Sequence, residues 1–322
     1  MHVRLTVFLT AGAAAVAVAT AVTLAGVPAD PSTASTTLST ATASTSTSMS
    51  TSTTPTSSGR TRAAFRSLEH DHHATLGVTA IDTADGRTIG YRAGTRFPFA
   101  SSNKTFIVAA TLARSSDADL DTVVHYGRAD LLSYAPVTTV YVDRGMTVRQ
   151  LIDAALRFSD NTAANLLVER LGGPEVVEQW LRGIGDRTTE VDRTEPDLNQ
   201  ALPGDERDTT TPAQFALDLR TVVLGHSLET ADRTLLRNEM LGCTTGDGTI
   251  RAGVDPAWPV ADKTGTGEYG VRDDIAVVYP TGRAPIVVTT MSRQQDPTAT
   301  PDDALLAAAT TIAIRALRVT GG

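Results

Sequence analysis

The alternation of apolar and polar positions predicts β-strands in two separate parts of the chain. Residues 76–82 alternate and residues 88–91 return after an Ala-Asp-Gly-Arg turn, which is the pattern of a β-hairpin. Later runs at residues 260–266, 274–279 and 286–292 predict three further antiparallel strands. The simplest packing joins all five strands in one antiparallel sheet.

The middle of the chain instead repeats its apolar residues with the period of a helix. This pattern predicts helices at residues 147–158, 162–171 and 174–182, and another helix at residues 301–318 near the end of the chain. Residues 106–113 are apolar nearly all round, which predicts a helix that is buried on every side. We therefore predict an α+β fold, in which an α/β sandwich lobe with a five-stranded antiparallel sheet joins an all-α lobe.

The first 59 residues differ in composition from the rest of the chain. Residues 1–29 have a short basic start, an apolar run rich in Ala and Val, and small residues at the end, which indicates a secretory signal peptide. No basic stop-transfer flank follows, so we expect no stable membrane span after processing. Residues 30–59 are mainly Ser and Thr with almost nothing to bury, which predicts a disordered linker. The protein is therefore expected to be secreted, either extracellular or associated with the cell envelope.

Residues 60–322 are long enough for one large domain with two lobes. The predicted strands assign residues 60–98 and 248–322 to the sheet lobe and residues 99–247 to the helical lobe. The net charge of −8, with no basic run, argues against nucleic acid as a partner. A cleft between two lobes is a common place for a small-molecule site.

Cysteine and histidine usage points to neither a disulfide nor a metal site. Cys243 is the single cysteine, so no intramolecular disulfide can form. The Glu-His-Asp-His-His run at residues 69–73 has side chains that could bind a metal, but it follows Phe65 and Leu68 in the pattern of a short amphipathic helix. An exposed helix face explains this run better, and we expect neither a metal nor another cofactor.

Ser101 and Lys104 lie three residues apart where the buried helix begins. We predict that Ser101 lies on the first turn of this helix, where positions i and i+3 share a face and the positive helix end disfavours a protonated lysine. Such a spacing also occurs by chance, but Lys104 and Lys263 are the only lysines among 28 basic residues. Lysine can lose its proton in a buried site and arginine effectively cannot, so both lysines are site candidates. Ser101 and Lys104 thus form a candidate pair of nucleophile and base.

Two further motifs carry polar groups in predicted helices and strands. In Ser159-Asp160-Asn161, Asp160 can cap a helix, and helix capping alone would explain this motif. Lys263-Thr264-Gly265 places a glycine inside a predicted strand, which indicates a close approach by a ligand or by backbone.

Residues 193–208 form an irregular, proline-containing segment that is typical of a compact Ω-loop. Arg193 and Asp208 could close its base as an ion pair. Within the loop, Glu195 and Asn199 are spaced to hold one water between a carboxylate and an amide. A solvated, charged loop is the alternative interpretation.

Taken together and in this order, these motifs resemble those of the class A serine β-lactamases, which belong to one superfamily with the penicillin-binding proteins and D,D-peptidases. The resemblance runs from about residue 60 to the end of the chain and includes Tyr134, with Ala-Pro-Val-Thr after it. It implies a β-lactam hydrolase that forms an ester on Ser101 and releases it with a water that Glu195 activates. A small-molecule β-lactam is then the expected partner, and we expect a monomer.

The resemblance also implies a role for each motif residue. Catalytic roles fall to Ser101, Lys104, Ser159, Glu195 and Lys263. Substrate-binding roles fall to Tyr134, Asn161, Asn199, Thr264, Gly265, Thr266 and Arg272. Either Lys104 or Glu195, through its water, would remove the proton of Ser101, and the family pattern leaves this choice open.

Asn103 departs from the family pattern, because an apolar or small residue is more usual between the serine and the lysine. Two other functions therefore compete with β-lactam hydrolysis. A penicillin-binding protein or D,D-peptidase would keep the serine, lysine and Lys-Thr-Gly groups but lack an equivalent of Glu195. A secreted wall-associated binding protein would be catalytically silent because Asn103 disturbs the nucleophile.

Overall fold

The computed structural model describes residues 57–319 of the chain. The predicted signal peptide and nearly all of the predicted linker lie outside these residues. The first helix begins at Ser57, so the last three residues of the predicted linker are helical. The sequence boundary was placed at the first charged residue, Arg60, whereas serine is also well tolerated at a helix start.

The helices and strands follow one another in an order that alternates little. The helices are α1 Ser57–Asp71, α2 Lys104–Ala113, α3 Asp117–Leu120, α4 Thr138–Tyr141, α5 Val148–Arg157, α6 Asn161–Leu171, α7 Pro174–Gly183, α8 Pro212–Val223, α9 Thr230–Leu241 and α10 Asp303–Val319. The strands are β1 Thr75–Asp82, β2 Thr88–Tyr91, β3 Phe97–Pro98, β4 Val123–Val124, β5 Met146–Thr147, β6 Thr209–Thr210, β7 Val260–Thr266, β8 Arg272–Val278 and β9 Ile286–Arg293.

Five strands form one antiparallel sheet in the order β2-β1-β9-β8-β7, as the alternation predicted. The register places Thr264 opposite Asp274 and Thr266 opposite Arg272. Strand β8 begins at Arg272, two residues earlier than predicted, because the charged pair Arg272 and Asp273 is buried and paired with β9 instead of lying in a turn. Both residues therefore belong to the sheet.

Helices cover both faces of the sheet. Helices α1 and α10 pack on one face, where Phe65, Leu305 and Leu306 are fully buried. Helix α8 packs on the other face, and its Phe215 belongs to the same core as Ile275 of β8 and the helices of the middle segment. The helical part thus shares a core with the sheet. The predicted α+β class with its five-stranded antiparallel sheet is confirmed.

Within residues 57–319, no helix is both long enough and apolar enough to cross a membrane.

Candidate active site

Ser101 lies in a tight turn between the sheet and helix α2. Strand β3 pairs with β6, and the chain then reverses at Ala100, whose φ of 41° lies in the left-handed region. Residues Ala100–Asn103 form a 3₁₀ turn, and α2 begins only at Lys104. Ser101 is therefore not on the first turn of the α-helix, as predicted, but one 3₁₀ turn before it. Positions i and i+3 also eclipse in a 3₁₀ turn, so Ser101 and Lys104 still face the same side.

Gly265 explains why this turn can lie against the edge strand β7. A Cβ atom at Gly265 would lie 2.7 Å from the carbonyl oxygen of Phe99 and 3.1 Å from the backbone nitrogen of Ser102. The close approach that the sequence predicted is therefore one of backbone, between β7 and the turn of Ser101. This contact brings the Lys263-Thr264-Gly265 motif beside the serine.

Lys104 is fully buried and has three close oxygen neighbours. Its Nζ atom lies 2.8 Å from the Ser159 carbonyl, 2.6 Å from Asn161 Oδ1 and 3.0 Å from Glu195 Oε1. Burial lowers the pKa of Lys104, and the Glu195 carboxylate opposes this shift. Three acceptors match the three donors of an ammonium group, so this arrangement suits a charged lysine.

The Ser101 hydroxyl donates to Glu195 Oε1 at 3.0 Å. Among residues 57–319, no hydrogen bond joins the side chains of Ser101 and Lys104. The carboxylate of Glu195 thus lies between the serine and the lysine and contacts both. It can accept a proton from Ser101 directly.

The loop that carries Glu195 is fixed at its base and at its backbone. Arg193 and Asp208 form the predicted ion pair, with Nε and Oδ2 2.5 Å apart and Asp208 fully buried. The Phe99 N–H donates to the Asp208 carbonyl at 3.1 Å, which ties the loop base to the turn of Ser101. The Asn165 side chain donates to the Glu195 carbonyl at 2.8 Å and accepts from the Glu195 N–H at 3.0 Å.

Asn199 lies one turn after Glu195, within the 3₁₀ turn Asp197–Asn199. Its amide donates directly to Glu195 Oε2 at 2.5 Å. The Asn199 carbonyl accepts from the Glu268 N–H at 2.9 Å, so the loop also contacts the segment after β7. The predicted pairing of carboxylate and amide is present.

Ser159 lies between the two lysines. Its Oγ is 3.0 Å from Lys263 Nζ and 3.4 Å from Lys104 Nζ. The next residue, Asp160, caps helix α6 by accepting from the Ala163 N–H at 2.9 Å, as predicted. Its other oxygen accepts from two backbone N–H groups, of Val137 and Thr138, so the cap also holds the segment that follows Tyr134.

Lys263 is buried like Lys104 but is bonded to neutral oxygens. Its Nζ donates to Ser159 Oγ and, at 2.7 Å, to the Thr264 carbonyl. Burial, assisted by repulsion from Lys104, lowers the pKa of Lys263 to about 8. Asp262 lies behind this lysine, and Arg251 pairs with it. Lys263 is therefore poised to change its charge near neutral pH.

Arg272 closes the opposite end of the site. Its guanidinium donates to Thr266 Oγ1 at 3.1 Å and to the Thr245 carbonyl at 3.1 Å, and its Nε pairs with Asp303 Oδ1 at 2.5 Å. The hydroxyls of Thr245 and Thr264 are 2.6 Å apart. Thr249, at the other position from which related enzymes supply this arginine, instead donates to Asp274.

A cavity of about 440 Å³ opens between the sheet edge and the helical part. Half-exposed Tyr134 lies at its rim. The predicted site residues that line this cavity are Ser101, Tyr134, Ser159, Asn161, Asn199, Thr264, Thr266 and Arg272. The remaining ones, Lys104, Glu195, Lys263 and Gly265, lie beneath this surface and contact it through the bonds described above.

Asn165, Thr245 and Asp303 are parts of this arrangement that the sequence analysis did not assign. Asn165 appeared in a helix pattern, Thr245 in an irregular segment and Asp303 at a helix start, where an acidic residue is ordinary. Thr245 and Asp303 line the cavity. Asn103 is buried and its Oδ1 has no hydrogen-bond partner within residues 57–319, yet the turn of Ser101 and helix α2 form around it.

Known proteins with the same architecture are numerous. A model of the beta-lactamase enzyme family matches residues 60–317. A beta-lactamase of Amycolatopsis lactamdurans is 48% identical over 253 residues, which are 79% of this chain and 84% of that protein. Beta-lactamase AST-1 of Nocardia asteroides is 49% identical over 255 residues, 79% of this chain and 82% of that protein.

Solved structures agree with these relatives. A class A beta-lactamase from Mycobacterium abscessus has a TM-score of 0.78 and 46% identity, covering 80% of this chain and 99% of that one. The chain therefore belongs to the β-lactamase enzyme family, within class A. The resemblance inferred from the sequence motifs is confirmed.

Proposed function

We propose that the enzyme hydrolyses the amide bond of β-lactams through an ester on Ser101, which a water activated by Glu195 then cleaves. The observation that carries this proposal is the position of the Glu195 carboxylate, 3.0 Å from both Ser101 Oγ and Lys104 Nζ. A base in this place can serve both the formation and the hydrolysis of the ester.

In the first half of the reaction, Ser101 Oγ attacks the lactam carbonyl and loses its proton. The contacts favour Glu195 as the acceptor, because Ser101 donates to it while Lys104 already faces three acceptors. Lys104 then stabilises the carboxylate and can return a proton through Ser159. The backbone N–H groups of Ser101 and Thr266 would bind the developing oxyanion.

The lactam C–N bond breaks when its nitrogen receives a proton. Ser159 is the donor in this proposal, since its hydroxyl lies next to both lysines. Lys263 promotes the transfer because a neighbouring ammonium stabilises the oxygen as its proton leaves. The ring is then open and the acyl group remains on Ser101 as an ester.

Substrate binding divides between the two sides of the cavity. Lys263 and Arg272 supply positive charge for the substrate carboxylate, and the hydroxyls and backbone of Thr264 to Thr266 surround the same place. Asn161 would bind the amide of the substrate side chain, and Tyr134 would line the rim. Charge-assisted bonds of this kind are the strong ones in carboxylate recognition.

Hydrolysis of the ester completes the cycle. Glu195 and Asn199 would hold a water and remove its proton as it attacks the ester carbonyl, and Ser101 leaves with a proton. Two contacts support the necessary precision, since Asn165 fixes the Glu195 backbone and Asn199 orients its carboxylate. This step separates a hydrolase from a protein that only becomes acylated.

The test is turnover of a chromogenic cephalosporin and of benzylpenicillin by the purified protein, with Ser101→Ala as the control. Many turnovers per Ser101 support the proposal. A D,D-peptidase-like enzyme would instead give one burst and a lasting adduct, and a silent binding protein would give neither burst nor adduct. Either of these results would contradict the proposal.

Export and assembly are also proposed. Residues 1–29 would direct secretion, residues 30–59 would form the linker, and the mature enzyme would act as a monomer outside the cell or at its envelope. N-terminal sequencing of the exported protein tests the first point, because uncleaved Met1 would contradict it. Light scattering tests the second, and a mass of twice the chain would contradict it.

A further inference from the structure

Two neighbouring aspartates at the start of α10 bind partners in different parts of the molecule. Asp303 pairs with Arg272 in the cavity, as described above. Asp302 faces away from the cavity and pairs with His72, whose Nδ1 lies 2.6 Å from Asp302 Oδ2. His72 ends helix α1, where its N–H still bonds to the Leu68 carbonyl at 3.0 Å.

Asp302 has both of its carboxylate oxygens occupied. Oδ1 accepts from the Leu305 N–H at 3.0 Å and thereby caps α10, while Oδ2 accepts from His72. Burial works against ionisation, but these two bonds hold the pKa of Asp302 below its ordinary value. The side chains of His72 and Asp302 are 25% and 29% exposed, so their contact is partly shielded from water. The first turn of α10 is therefore fixed from both sides.

Asp303 needs this support more than Arg272 does. The Arg272 side chain is 9% exposed and is also held by Thr245 and Thr266, whereas the Asp303 side chain is 47% exposed. Among the described residues, Asp303 is the only carboxylate paired with Arg272. A half-exposed side chain keeps one position mainly because its backbone is fixed. That backbone immediately follows Asp302.

We propose that His72 and Asp302 are positioning residues for substrate recognition: they fix the start of α10 so that Asp303 holds Arg272 in the orientation that meets the substrate carboxylate. The proposal rests on the function proposed above, because Arg272 has this importance only if it binds that carboxylate. Neither residue contacts the substrate itself.

The kinetic test compares His72→Ala with the matched variant His70→Ala. His70 is two residues earlier in α1, is 86% exposed on its side chain and pairs only with the neighbouring Asp71. For His72→Ala we expect KM to rise about three- to tenfold, the size of coupling usual between residues that share a network, with kcat within about twofold. Asp302→Ser keeps an oxygen for the helix cap but loses the bond to His72, and should give the same change.

A double-mutant cycle separates positioning from general weakening of the fold. In the Arg272→Ala background, His72→Ala should change KM less than twofold, about the limit for independent sites, because the residue it positions is gone. A rise in KM that persists undiminished in this background, or an equal rise in His70→Ala, overturns the proposal. A fall in kcat with unchanged KM does so too.

A second measurement does not depend on turnover. The ¹⁵Nε–Hε NMR resonance of Arg272 reports its bond to Asp303, and it should move in His72→Ala and in Asp302→Ser but not in His70→Ala. An unmoved resonance overturns the proposal even if the kinetics change. If the unaltered protein hydrolyses no β-lactam, the proposed function fails, and this resonance still decides whether His72 positions Arg272.

Discussion

The helical side and the sheet side of the site each contain one fully buried lysine, but the two lysines have different neighbours. Lys104 on α2 contacts the Glu195 carboxylate, and Lys263 on β7 contacts only neutral oxygens. Burial lowers the pKa of both, yet only Lys104 has a directly bonded carboxylate that opposes the shift. The charge of a buried lysine is therefore set by its nearest acceptor as much as by its burial.

This difference assigns different work to the two sides. The helical side holds a proton acceptor next to the nucleophile and suits bond making and breaking. The sheet side offers a cation and hydroxyls that face the cavity and suits recognition of a carboxylate. Four changes test this division, and they are ordered here by the size of their expected effect.

Glu195→Ala removes the proton acceptor of the helical side. A positioned general base contributes about 10²- to 10⁴-fold, so deacylation should slow by this factor while an ester can still form, more slowly than in the unaltered enzyme. Intact-mass spectrometry after mixing with benzylpenicillin should show an adduct of the whole drug. Turnover at the unaltered rate without an adduct would break the comparison, because the helical side would then not contain the deacylating base.

Arg272→Ala removes a cation from the sheet side. A charge-assisted hydrogen bond contributes roughly 1.5 to 3 kcal/mol, so kcat/KM should fall by about one to two decades for β-lactams that carry the carboxylate. The adduct lifetime should stay nearly the same, since the helical side is untouched. Steady-state kinetics and intact-mass spectrometry of the same samples measure both quantities. A fall confined to deacylation would place Arg272 on the wrong side of the comparison.

The pH profile distinguishes the two lysines directly. A lysine is charged below its pKa, and the pKa of Lys263 is about 8. As pH rises through this value, Lys263 loses its charge and kcat/KM for a carboxylate-bearing substrate should fall about tenfold per pH unit, since kcat/KM reports the free enzyme.

Lys263→Arg should move this alkaline limb to higher pH, because arginine stays charged. Asp274 also has a pKa raised to about 8 by burial and by Asp262. If the limb stays near pH 8 in Lys263→Arg, a group other than Lys263 controls it. Such a result would remove the electrostatic basis of the comparison.

Deleting residues 1–56 should have the smallest effect. Neither side of the site draws a residue from this segment, and helix α1 starts at Ser57 with Phe65 fully buried against the sheet. We expect kcat/KM within about twofold of the full chain, because independent parts of a protein behave additively. A folded fragment that loses activity would show that the front of the chain supports one side of the site.

The sequence predicted the parts of this arrangement that depend on local chemistry. Alternation fixed the five strands, Asp160 was recognisable as a helix cap, and opposite charges suggested the Arg193 and Asp208 pair. The scarcity of lysine also identified Lys104 and Lys263. Each of these signals lies within one element or one loop, where spacing along the chain determines spacing in the fold.

Contacts between distant elements could not be predicted in the same way. Asn165 binds the backbone of Glu195 30 residues later, and Asp303 binds Arg272 across the gap between β8 and α10. The 3₁₀ turn at Ser101 was also missed, because it depends on β7 lying against the backbone of Phe99. An amide inside a helix pattern or an acid at a helix start has an ordinary local explanation, so such residues give no separate signal.

The contact at Gly265 has a consequence for laboratory evolution of this enzyme. Because any side chain there would meet the Phe99 carbonyl at 2.7 Å, a library that varies this codon should return glycine from nearly every surviving clone. Tyr134, by contrast, is half exposed at the rim. Screens for an altered drug profile will therefore find more diversity at the rim than at this crossing of two backbones.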